Sequence, residues 1–195
     1  MTEPTVDGPA QPDQPAVLEL DDATAALRAA VEEIEAHVAE SGWDQPSRLY
    51  ALARTRDLVV REPALADALG LAGQEPDEDD LTPVEQEHVP VDRTLEEVLE
   101  AIAWPAEVHG CAAVVERLVL PPAADDEIPE DDDAAEEYAA SHPDRQDVRI
   151  VAGVTRDGER WCALRLRAHD EGLAVVSGPD IVPALLDLLH TTLVD

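Results

Sequence analysis

The chain has 195 residues, with 45 acidic residues against 13 basic ones and a formal net charge of −32. All thirteen basic residues are arginine, and the missing lysine excludes Schiff-base catalysis, a P-loop lysine and a lysine general base. A field of this sign repels polyanions and so excludes nucleic acid as a partner, while 45% hydrophobic content without phenylalanine demands an aliphatic core.

Residues 1–16 are rich in Pro, Asp, Gln and Gly with almost no large apolar side chain, which predicts a disordered tail. This stretch lacks a basic n-region and an apolar h-region, and no apolar run reaches the roughly 18 residues of a membrane span, so a cytoplasmic protein without membrane insertion is expected. From Asp21 or Asp22 the apolar residues Leu27, Val31, Ile34 and Val38 recur at helical steps until Gly42. Asp44 before Gln45-Pro46 has the form of an N-cap followed by a first-turn proline, predicting a second helix with Leu49, Leu52, Leu58 and Val59 inside, and Trp43 at the corner between the two. A short third helix is expected to run to Leu69, before Gly70.

The acidic, proline-broken segment GQEPDEDDLTPVEQEHVPVD reads as a linker or surface loop. Thr94-Leu95-Glu96-Glu97 then matches a capping box for a helix burying Leu95, Val98, Leu99 and Ile102. CAAVVERLVL, rich in β-branched residues and stopped by Pro121-Pro122, predicts a strand. A short helix capped by Asp133 and closed by Pro143, a hairpin over 148–167, an edge strand over 173–177 and a C-terminal helix with Val182, Leu185, Leu186 and Leu189 inside complete the order. The whole predicts a single α+β domain over 17–195, made of a helical part (17–70), the acidic linker (71–93) and a sheet-containing part (94–195). An N-terminal helical hairpin or bundle would adjoin a small antiparallel sheet of three or four strands with helices packed on one face.

The hairpin carries five arginines and a tryptophan, VRIVAGVTRDGERWCALRLR. Its turn can be the two residues Asp157-Gly158, or the three residues Arg156-Asp157-Gly158 with a left-handed glycine. Only the three-residue loop sets Val148 against Leu166, Ile150 against Leu164 and Ala152 against Cys162, giving one consistently apolar face. The other face then holds Arg149 against Arg165, Arg167 near Asp147 and Trp161 across from Gly153, with Arg117 of the preceding strand joining them. Opposed like charges repel, so an anion is required between the arginines. Either the protein's own acidic loops around 125–133 or 169–171 supply it, or an acidic partner segment or small anion does.

Cys111 and Cys162 are too few for a disulfide framework. With His109, His169 and Asp170 they provide metal-ligand types, yet neither CxxC nor HxxxH spacing occurs, and no metal or other cofactor is expected. A nucleophilic pair of His109 and Cys111 lacks an identifiable orienting group. Asp131-Asp132-Asp133 has neither the spaced ligands nor the glycine of an EF-hand loop, and Asp180 in Gly178-Pro179-Asp180 reads as an ordinary helix cap.

Taken as a set, GWDQPSRLYALART, LTPVEQE, AIAWPAEVHGCAAVVERLVLPP, YAASHPDR, GVTRDGERWCALRLRAHD and SGPDIVPALLDLL resemble a family of small acidic proteins of high-GC Gram-positive bacteria, function unknown, over roughly residues 20–193. The resemblance implies a soluble cytoplasmic protein whose composition reflects a GC-rich genome. It carries over no activity, cofactor or site residue. The residues themselves favour a non-enzymatic protein-interaction module, docking an unidentified protein on an outer sheet face of Arg149, Arg165, Arg167, Trp161 and Arg117. The alternative is an enzyme or small-ligand-binding protein using a pocket between the helical half and the sheet, near Trp104, His109 and Cys111.

Overall fold

The computed structural model describes residues 21–71, 73, 75–86, 89–90, 93–129, 131–169 and 175–194; the expected tail at 1–16 lies outside them. Its centre is one antiparallel sheet of six strands in the order β2-β1-β3-β4-β5-β6. The strands are β1 (Arg48–Arg54), β2 (Leu81–Glu85), β3 (Gly110–Val119), β4 (Gln146–Thr155), β5 (Arg160–Leu166) and β6 (Val175–Gly178). The helices are α1 (Asp22–Ala39), α2 (Thr55–Arg61), α3 (Pro63–Ala68), α4 (Leu95–Leu99), α5 (Asp132–Ser141) and α6 (Pro183–Leu193).

The fold is α+β, but the expected architecture needs correcting in three respects. The sheet has six strands rather than three or four, helices cover both its faces, and among the described residues there is no N-terminal helical bundle. The error starts at 48–54, read as helix and folded as β1. Leu49 and Ala51 are buried toward α4 and α6, while Tyr50 and Leu52 are buried toward α1. A strand buried on both faces shows no polar alternation, and a continuous apolar run of Leu and Ala is indistinguishable from helix by period. Asp44 is no N-cap either, since its φ of +64° belongs to a left-handed corner. The segment taken as linker supplies β2, whose Pro83 is tolerated because this is an edge strand paired only with β1.

Other expectations hold. Asp21 caps α1 by accepting from the Thr24 amide at 2.8 Å, and Leu27, Val31, Ile34 and Val38 are all buried. Full burial of such side chains stabilises by about 1.5–3 kcal/mol each, which fixes α1 across the sheet. The Thr94/Glu97 capping box is present at α4. The edge strand appears as β6, and α5 takes Asp131 rather than Asp133 as its cap. In the hairpin, Val148 pairs with Leu166, Ile150 with Leu164, Ala152 with Cys162 and Gly153 with Trp161, the register of the three-residue loop. Gly158 takes a φ of +100° in that loop, a conformation costly for any residue with a Cβ.

Two cores result. On one face Val115, Val148, Ile150, Ala152 and Cys162 meet Leu95 and Leu99 of α4 and Leu186 and Leu189 of α6. On the other, Val114, Val151, Trp161 and Ala163 meet α1.

Candidate functional site

Two of the five hairpin arginines, Arg149 and Arg165, are buried with Trp161 on the α1 side of the sheet rather than on an open surface. Arg149 is 1% exposed, Arg165 8% and Trp161 4%. As the register requires, Arg149 faces Arg165 directly, and the opposing charge comes from inside the fold. Arg149 donates from Nε and Nη2 to Glu116 Oε1 of β3 at 3.2 and 2.8 Å. Arg165 makes a two-pronged contact with Glu35 of α1, at 2.5 and 2.8 Å. Among the described residues the counter-charges seen are Glu116 and Glu35; of the acidic loops considered from sequence, 130 and 170–171 lie outside the described residues.

The corner at 42–44 completes this arrangement. Gly42, with φ of +76°, offers its carbonyl to Arg149 Nη2. Trp43 lies 4.5 Å from the Arg149 guanidinium and 5.6 Å from that of Arg167, a cation–π stack rather than a plug between helices. Asp44 donates its amide to Glu116 Oε2 and binds Arg167 through both carboxylate oxygens at 2.8 Å. The Arg167 hydrogen bond holds the Asp44 carboxyl below its ordinary value. Arg28 covers Trp161, at 5.7 Å from its ring. Arg117, expected to join this set, sits on the opposite sheet face, lining a groove with Val115 and Ile150 and paired with Glu96. The proposed Arg/Trp interface is thus internal structure for Arg149, Arg165 and Trp161, with Arg167 at its rim and Arg117 elsewhere.

The pocket considered around Trp104, His109 and Cys111 is likewise divided. Cys111 lies under α6, its Sγ within 3.6 Å of Thr192 Oγ1 and 3.7 Å of the Leu189 carbonyl, and burial pushes its thiol up to about 11. His109 contacts Arg54 and Asp157 instead, and burial, aided by the Arg54 charge, lowers its pKa. An unactivated thiol without a base is no nucleophile. Among the described residues, no group of three or more His, Cys, Asp or Glu could hold a metal ion.

One open feature was missed from sequence. Between α1 and the segment 77–85, which includes the edge strand β2, lie three adjoining cavities of 610, 300 and 270 Å3. The first two share Ala26, Ala29 and Asp80, and the second and third share Glu33, Leu69 and Pro83. They form one channel along α1 from Asp22 to His37, about 22 Å at 1.5 Å per residue. Its floor is apolar or small, and carboxylates rim both ends: Asp22 and residues 77–80 at one, Glu33 and Glu85 at the other. Glu78 and Asp79 are partly neutralised by Arg56 and Arg54 behind them. Among the described lining residues none is arginine, and His37 alone is of basic type. The signal was present as Ala25, Ala26, Ala29 and Ala30 on one side of α1, but it had no meaning until 81–85 was known to be a strand.

A family model described as PPA1309-like protein matches residues 27–194. The chain belongs to this family. No curated protein and no solved structure matches it. The PPA1309-like region takes in all six strands and five of the six helices whole, so the buried Arg–Glu network and both cores fall within it. It also holds a second contact that sequence reasoning missed. Arg156, at the hairpin turn, donates to the carbonyls of Val108, Trp104 and Pro105 at 2.8, 3.0 and 3.0 Å, and to that of Leu193. One guanidinium thereby ties the hairpin to the end of α6. No helix among the described residues is long and apolar enough to cross a membrane.

Proposed function

We propose that the protein is a non-enzymatic interaction module of the cytoplasm of high-GC Gram-positive bacteria, and that it receives a basic amphipathic segment of a partner protein in the channel between α1 and β2. The channel's shape and charge carry this reading. Small side chains on α1 permit close approach of a second helix, Leu69, Leu71 and Leu81 offer apolar contact, and carboxylates at both ends select a cationic partner. A helix of about fifteen residues spans its length. The excess negative charge steers such a segment inward and repels nucleic acid. Catalysis finds less support, because Cys111 is buried with a raised thiol and His109 is engaged elsewhere.

The experiment compares capture from lysate by wild type and by Ala29→Trp combined with Glu33→Arg, both substitutions being at exposed positions of α1. Circular dichroism checks the fold, and Ala184→Trp on the opposite face serves as control. Basic partners should be retained by wild type and the control, lost by the channel variant, and released as salt rises past the point where exposed charges are screened over about 8–10 Å. An unchanged partner list with an intact fold overturns the reading.

A further inference from the structure

The opposite face of the sheet carries a groove of about 450 Å3, within the roughly 300–1,000 Å3 of small-molecule sites. Val115 and Ile150 of the sheet make its floor, Leu185 and Leu188 of α6 its wall, and Arg117 and Glu96 its polar mouth. We infer that this groove binds a medium-chain aliphatic carboxylate, with the chain against those four apolar side chains and the carboxylate on Arg117.

The head group follows from the mouth. Arg117 reaches Glu96 through one nitrogen and one oxygen only, and both side chains are about half exposed, at 45% and 49%. A guanidinium presents a planar fork that a carboxylate fills with two parallel hydrogen bonds, and the single contact to Glu96 leaves that geometry unused. Glu96 also sits in the first turn of α4, where a negative charge is favoured without Arg117. Exposed ion pairs are weak, so an incoming carboxylate displaces Glu96 at little cost. An ammonium would have to seat on Glu96 and leave Arg117 facing it, and a hydroxyl would use one donor of the fork. The apolar lining contributes area burial and expels water from the chain. The net charge of −32 opposes any anion through the long-range field. Binding should therefore tighten as salt rises toward physiological strength, where the screening length falls to about 8 Å. This assignment is independent of the channel on the α1 face and stands or falls separately.

The test titrates the full chain, with labelled methyl groups, with octanoate, octanol and octylamine, following the methyl resonances of Ile150, Leu185 and Leu188. Octanoate should give saturable shifts at these methyls and bind about tenfold or more tighter than octanol, the effect of a charge-assisted pair. Arg117→Gln should erase that difference while leaving octanol unchanged. Ala184→Trp, at an exposed lining position, or Leu188→Gln if the first variant fails to fold, should remove saturable binding of all three probes. Shifts that do not saturate, equal affinity for octanoate and octanol, tighter binding of octylamine, or an Arg117→Gln variant that still prefers octanoate would each overturn the inference.

Discussion

Replacing Glu35 by glutamine tests the structure where sequence and fold disagree most, on whether the arginine face is surface or core. Glu35 is 4% exposed and lies across from Arg165 at 2.5 and 2.8 Å, while Arg149 bears a like charge on the neighbouring strand. Glutamine keeps the shape and removes the charge, so the buried Arg165 loses the carboxylate that it contacts through two nitrogens. Breaking one partner of a buried pair costs about 3–5 kcal/mol, a large share of the about 5–15 kcal/mol that holds a domain folded. With a urea dependence of about 2 kcal/mol per molar, the unfolding midpoint should fall by about 1.5–2.5 M at unchanged slope. Glu32→Gln is the control, since the Arg28–Glu32 pair is about half exposed on both sides and its loss should cost no more than about 0.5 kcal/mol. Replacing both buried partners, Glu35→Leu with Arg165→Met, should recover much of the loss, because an apolar pair of similar volume needs no counter-charge. A loss below about 1 kcal/mol for Glu35→Gln would refute the buried network, for it is the size expected of a solvated pair.

At Gly153 an added Cβ would meet Val31 Cγ2 at 2.8 Å and Leu27 Cδ1 at 3.2 Å, so Gly153→Ala should destabilise by about 1–3 kcal/mol through overpacking against stiff, β-branched Val31, and a neutral or stabilising result in denaturant would show that α1 does not press on β4 there. His109 has a folded pKa below its ordinary 6.5, so the unfolded chain binds more protons in that window; its contribution is complete above pH 6.5 and is lost as pH falls through the folded value. Denaturation of wild type and His109→Gln across that range should show a steeper loss for wild type, and parallel profiles would count against the burial of His109.

The sequence by itself determined what local chemistry controls. α1 follows from its capped 3.6-residue period, α4 from its capping box, and the hairpin register from the demand that one face be wholly apolar. It also determined that Arg149 and Arg165 must oppose each other and need an anion between them. Tertiary structure alone decided where that anion comes from. Glu35 is 130 residues away from Arg165 and Glu116 is 33 away from Arg149, separations at which no spacing rule operates. It likewise decided that 48–54 is a strand, because propensity and period are weak where both faces are buried and pairing with β2 and β3 outweighs them. Once β1 and β2 extend the sheet, the arginine face comes to lie under α1, and the channel beside α1 appears. Both consequences arise from which segments pair across long stretches of chain, information that is distributed over contacts and absent from any single window of residues.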